Sequence, residues 1–170
     1  MGIEQPTAVD EELMDRAIAE ARAEIARGRA GVAAILAHGR EIVTVALNRI
    51  DETSDMTDHA EMVALRQAAK QLAAMDDERR RGLTIYVTLE PCLMCASALS
   101  FVGIRRVAYA ATAADANLEE LIVRDLDLPA INERLVRGPF ALLPGLRRAE
   151  GQELLRAMGK AAGSPPDLKT

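Results

Sequence analysis

A chain of 170 residues carrying 26 acidic and 21 basic side chains, net charge −5, is long enough to bury a core without disulfide support. The acidic balance argues against a general binder of phosphate backbones, and no stretch approaches the roughly 18 consecutive apolar residues of a membrane span. Only two cysteines, and an N-terminus without the basic, apolar and small-residue succession of a signal peptide, point to a reducing, cytoplasmic setting.

Asp10 before Glu11-Glu12, an Ala-rich periodic stretch and Arg27-Gly28 predict a capped first helix. Val32 to Ala37 and Glu41 to Leu47 then read as two strands of a hairpin, with His38-Gly39-Arg40 as its exposed turn. Asn48 to Thr57 is polar and irregular. Met62, Leu65, Ala69 and Leu72 mark the apolar face of a helix starting near Asp58, so that His59 and Glu61 fall in its first turn. Leu83 to Leu89, a helix from Pro91 to about Val102, and Arg105 to Ala111 form a strand-helix-strand unit, which is right-handed and parallel. Beyond Asp115 the pattern predicts a short helix over Asn117 to Asp125, an edge strand over Pro139 to Leu143 and an amphipathic helix over Leu146 to Met158. One domain over residues 1–158 and a flexible tail over 159–170 are expected.

The chemistry concentrates at His59-Ala60-Glu61 and Pro91-Cys92-Leu93-Met94-Cys95. A catalytic zinc takes three protein ligands and keeps a fourth position for water, and His59, Cys92 and Cys95 supply three. The i, i+3 spacing places both thiols on one helix face, with Pro91 at the first helical position and the macrodipole favouring thiolate at Cys92. Glu61 can then lie beside the bound water as a proton shuttle. A redox pair would need neither His59 nor Glu61, and a closed structural site would need a fourth ligand that no third cysteine provides. Asp58 to Glu61 also has capping-box spacing, a structural alternative for Glu61. Arg79-Arg80-Arg81, Arg105-Arg106 and Arg147-Arg148 are candidate basic patches.

The two motifs resemble those of the cytidine deaminase superfamily over roughly residues 10 to 158. The resemblance implies a three-layer α-β-α architecture with a five-stranded mixed sheet, hydrolytic loss of ammonia from an exocyclic amine, zinc (Zn2+) as cofactor and a homodimer. It also implies substrate contacts from Asn48, Ala60 and Glu119, with Glu120 a near-equal candidate. Tyr86 to Cys95 is similar to the tRNA adenosine deaminases, whereas Tyr109-Ala110-Ala111, Asp115-Ala116 and Glu119 to Pro129 are similar to the guanine deaminase branch. The last helix carries no aromatic side chain to stack on an extruded base. The expected substrate is therefore a free nucleobase or small amino-heterocycle, guanine- or cytosine-like. A tRNA-specific adenosine deaminase is the alternative, and a noncatalytic zinc-stabilised interaction domain a third reading.

Overall fold

The computed structural model describes residues 4–160. Its five strands are β1 (Ala33–His38), β2 (Glu41–Leu47), β3 (Leu83–Leu89), β4 (Arg106–Ala111) and β5 (Ala141–Pro144), in the spatial order β2-β1-β3-β4-β5. The α-helices are α1 (Ala8–Ala26), α2 (Ile50–Thr53), α3 (Ala60–Gln67), α4 (Ala69–Ala74), α5 (Asp77–Arg81), α6 (Leu93–Val102), α7 (Leu128–Asn132) and α8 (Arg148–Ala157). β1 is antiparallel to both of its neighbours, while β3, β4 and β5 run parallel. Consequently β2, β3, β4 and β5 all point the same way, and their carboxyl ends share one edge of the sheet, where open α/β sheets place ligands.

The two-residue period of the strands decides the layers. Ile85, Val87, Val107 and Tyr109 face one side and pack with Val63 and Leu65 of α3 and Ala96 and Leu99 of α6. Ile35, Tyr86, Ala108 and Ala110 face the other and pack with Leu13 and Ala17 of α1 and Leu154 of α8. The result is the expected three-layer mixed sheet. α8 approaches β4 so closely that a Cβ at Gly151 would stand 2.5 Å from the Ala111 backbone nitrogen. The hairpin between β1 and β2 turns at Gly39 with φ +57, leaving His38 exposed at the strand end.

Several boundaries depart from the sequence expectation. Thr7, not Asp10, caps α1: its hydroxyl accepts from the Asp10 N–H, and the Asp10 carboxylate accepts in return from the Thr7 N–H at 2.7 Å. Asp10 is thereby drawn inward, where it also accepts from the Tyr86 hydroxyl at 2.7 Å and pairs with Arg106 at 2.6 Å. The long helix after His59 breaks at Ala68 into α3 and α4, and Ala64, Leu65, Ala68 and Leu72 are buried, while Ala69 is exposed. The helix expected over Asn117 to Asp125 is only a 3-10 turn at Leu118–Glu120. α7 was not anticipated; Asp127 caps it through the Ala130 N–H, with Pro129 in its first turn. Of the predicted tail, Gly159 and Lys160 are fixed: the Lys160 N–H donates to the Leu155 carbonyl and its own carbonyl accepts from Asn117 N–H, both at 2.8 Å. Residues 161–170 lie outside the described residues.

Candidate functional site

His59 reaches the carboxyl edge of the sheet as the N-cap of α3, at the end of a braced turn. Asp58, buried, accepts from the Thr53 hydroxyl at 2.8 Å and pairs with the Arg66 guanidinium, which fixes the backbone just before His59. Cys92 is the N-cap of α6 and Cys95 lies in its first turn. This shifts the expected frame by a residue or more: Pro91 precedes the cap rather than opening the helix, and Cys92 sits at the helix's positive end rather than inside its first turn. With α3 packed beside α6, the two helix starts converge.

The three ligand atoms form a compact triangle. His59 Nδ1 is 3.8 Å from Cys92 Sγ and 3.6 Å from Cys95 Sγ, and the two sulfurs are 3.7 Å apart. A tetrahedral zinc with bonds of about 2.3 Å to sulfur and about 2.0 Å to nitrogen requires edges of about 3.8 Å between sulfurs and about 3.5 Å between sulfur and nitrogen. The donor set therefore fits zinc in spacing as well as chemistry. Among the described residues, no fourth His, Cys, Asp or Glu joins the triangle, which leaves the open corner that hydrolysis needs. A hydrogen bond from Cys95, opposed by burial and aided by His59, draws the Cys92 thiol down to about 4, into the thiolate range.

Beside the triangle opens a cleft. The carboxyl ends of β2, β3 and β4 supply its floor through Asn48, Leu89 and Ala113, and Glu61 and Ala60 enter from α3. Glu61 is buried, its carboxyl pushed up to about 7 chiefly by loss of solvent. The capping-box alternative for Glu61 is not realised, because the N-cap of α3 is His59 rather than Asp58 and no side chain caps it. Asn48 lines the cleft and also caps the next turn, its Oδ1 accepting from the Ile50 N–H at 3.1 Å. Glu119 is exposed and outside the lining; Glu120 lines the cleft and pairs with Lys160 at 2.6 Å.

Two lining residues have no counterpart in the sequence reading. Glu90 follows β3 and uses its single carboxylate to accept from the Ala113 N–H at 2.9 Å and the Leu128 N–H at 2.5 Å. It thus ties both ends of the segment that carries Glu120, Leu121, Ile122 and Val123 to the turn that delivers Cys92. Lys160 arrives from beyond α8. The residue types of Glu90 and Lys160 carry no local signal, since their partners lie far along the chain.

The zinc-binding region of cytidine and deoxycytidylate deaminases matches residues 7–111. A tRNA-specific adenosine deaminase from Agrobacterium fabrum is 36% identical over 84% of this chain and 89% of its own length. A solved structure from a study of A-to-I editing by tRNA deaminases at the wobble position of transfer RNA superposes with a TM-score of 0.67, at 34% identity, over 85% of this chain and 99% of that one. The guanine deaminase of Nitrosomonas europaea shares the fold, with a TM-score of 0.70 at 22% identity over 92% of this chain and 94% of that one. The expectation of a guanine- or cytosine-like free base is overturned, because the relatives similar in sequence over most of the chain are named for tRNA. The missing aromatic in the last helix misled for a structural reason. α8 commits Gly151, Leu154 and Leu155 to the interior and packs on β4 and α1, so it is not a wall of the cleft. Motif, triangle and relatives agree: the chain belongs to the cytidine and deoxycytidylate deaminase zinc-binding family and is a zinc-dependent hydrolytic deaminase.

Proposed function

We propose that the protein deaminates adenosine to inosine in tRNA. The observation that carries this reading is its 36% identity, over 84% of its length, to a tRNA-specific adenosine deaminase. His59, Cys92 and Cys95 would hold zinc, and the metal when bound would supply a water acidified enough to act as a nucleophile near neutral pH. Glu61, aimed into the cleft and shielded from solvent, accepts a proton from that water. It delivers the proton to the purine N1 as the water oxygen bonds to C6, and a second proton leaves with the exocyclic amine. The C6–N bond breaks, a carbonyl remains, and one water is consumed for each ammonia released.

In this reading Asn48 and Ala60 contact the base edge and Glu120, rather than its near-equal Glu119, is the acidic contact, since it alone of the pair lines the cleft. The reading includes a homodimer. Sedimentation velocity at micromolar concentration checks it; a monomer there contradicts the dimer. For the activity, an anticodon stem-loop incubated with zinc-loaded protein is digested to nucleosides. Inosine is expected with the native chain and absent with Glu61→Ala, whereas adenosine left intact by the native chain overturns the reading.

A further inference from the structure

The three arginine clusters of the sequence separate sharply in the fold. Arg79 pairs with Glu41, Arg80 with Asp77, Arg106 with Asp10 and Glu4, Arg147 with Asp15, and Arg148 with Asp115. Arg81 and Arg105 form no ion pair among the described residues, and neither does Arg137, a residue outside those clusters. Arg81 ends α5 just before β3, Arg105 just precedes β4 and Arg137 precedes β5, and the register of Thr84 with Arg106 and of Arg106 with Ala141 brings these points to one edge of the sheet. Arg105 donates to the Arg137 carbonyl at 2.8 Å and to the Ser100 carbonyl at 3.2 Å, and the Arg137 guanidinium lies 4.4 Å from the centre of the Phe101 ring. Phe101 is 70% exposed. Burial and then the positive charges of Arg81 and Arg137 lower the pKa of Arg105, as expected where like charges gather.

On this observation, and on the reading of tRNA as substrate, we propose that Arg81, Arg105, Arg137 and Phe101 form an RNA-contact surface outside the catalytic cleft. A chain of net charge −5 repels a polyanion as a whole, so tRNA must be held where positive charge is local and uncancelled. Guanidinium groups suit phosphodiesters, and an exposed ring under an arginine offers a base a stacking face. α6 sets the distance. Cys92 caps its start and Phe101 lies in its last turn, about 14 Å away at roughly 1.5 Å per residue. The patch lies at the amino ends of β3, β4 and β5, the sheet edge opposite the cleft, so an RNA with one nucleotide in the cleft follows the flank of α6 to reach it, and a free base does not.

The test is the Arg81→Ala/Arg137→Ala double variant, which spares the Arg105 bonds to backbone carbonyls. Stem-loop RNA affinity is measured by fluorescence anisotropy across a salt series, with inosine formation at saturating RNA in parallel. The surface predicts a weaker Kd, a slope of log affinity against log salt reduced by about 0.7 for each single-strand phosphate that the variant no longer neutralises, and an unchanged kcat. Unchanged affinity and slope in the double variant, with inosine formed by the native chain, overturn the surface and leave the substrate standing. Weakened RNA binding without inosine from the native chain overturns the substrate and leaves the surface standing. No RNA binding by the native chain overturns both, as does a patch that captures polyglutamate but not RNA in favour of an acidic protein partner.

Discussion

Glu61 is the carboxylate on which the chemistry turns, because it is buried in the cleft wall yet ligates nothing. Proton transfer of this kind contributes about 10² to 10⁴ in rate, so Glu61→Ala should keep one zinc per chain and lose deamination by that factor, measured as metal content beside initial rate. Cys92→Ser should do the reverse first: zinc is lost on mild chelation, and activity follows the metal. Zinc retained by Cys92→Ser at native affinity contradicts the ligand assignment. These residues were legible in the sequence because each lies within a few positions of its neighbours in one of two short motifs. The Glu120–Lys160 pair was not, since nothing near either residue indicates that the end of α8 returns to the cleft.

At the scale of elements, local rules worked where one chain segment decides its own structure. β3 was read to the residue because an apolar β-rich run buried on both faces has no competing period. The start of α1 was misread for the opposite reason. Asp10 looks like a cap, and only the third-strand Tyr86 and the Arg106 of β4 explain why it points inward instead. Two expectations follow from contacts that sequence patterning cannot show. Gly151→Ala forces a methyl against the Ala111 backbone, and its denaturant midpoint should fall by the equivalent of about 1–3 kcal/mol. Glu90→Gln turns an amide donor toward one of two N–H groups that now share a carboxylate. Hydrogen exchange at Ala113 or Leu128 should accelerate and KM rise, with zinc content unchanged; protection equal to the native chain at both amides contradicts the tie.

Across the whole molecule, α1 and α8 are tied to one face of the sheet by carboxylates that bridge distant segments. Burial raises the pKa of both Asp10 and Asp115, but it is outweighed. Arg106, the Thr7 N–H and the Tyr86 hydroxyl hold Asp10, and Arg148, Gln152 and Thr112 hold Asp115, well below the ordinary range. A folded pKa below the unfolded value of about 3.9 means stability present in full above that value and lost as pH falls through the folded pKa. The contribution of these two carboxylates should therefore be lost, and thermal melts should drop steeply, below about pH 4. In Asp10→Asn that drop should shrink; an undiminished acid drop would show that Asp10 is not its source.

The substrate was the least legible property, because the same two motifs serve free bases and nucleic acid alike, and the discriminating surface is assembled from α5, α6 and the segment before β5. The most direct measurement is therefore ammonia release by the zinc-loaded protein from an adenosine-containing tRNA anticodon stem-loop, compared under one set of conditions with release from guanine and cytosine. Turnover of the stem-loop with negligible turnover of either base is the predicted result, and a faster reaction with guanine or cytosine than with the RNA would contradict it.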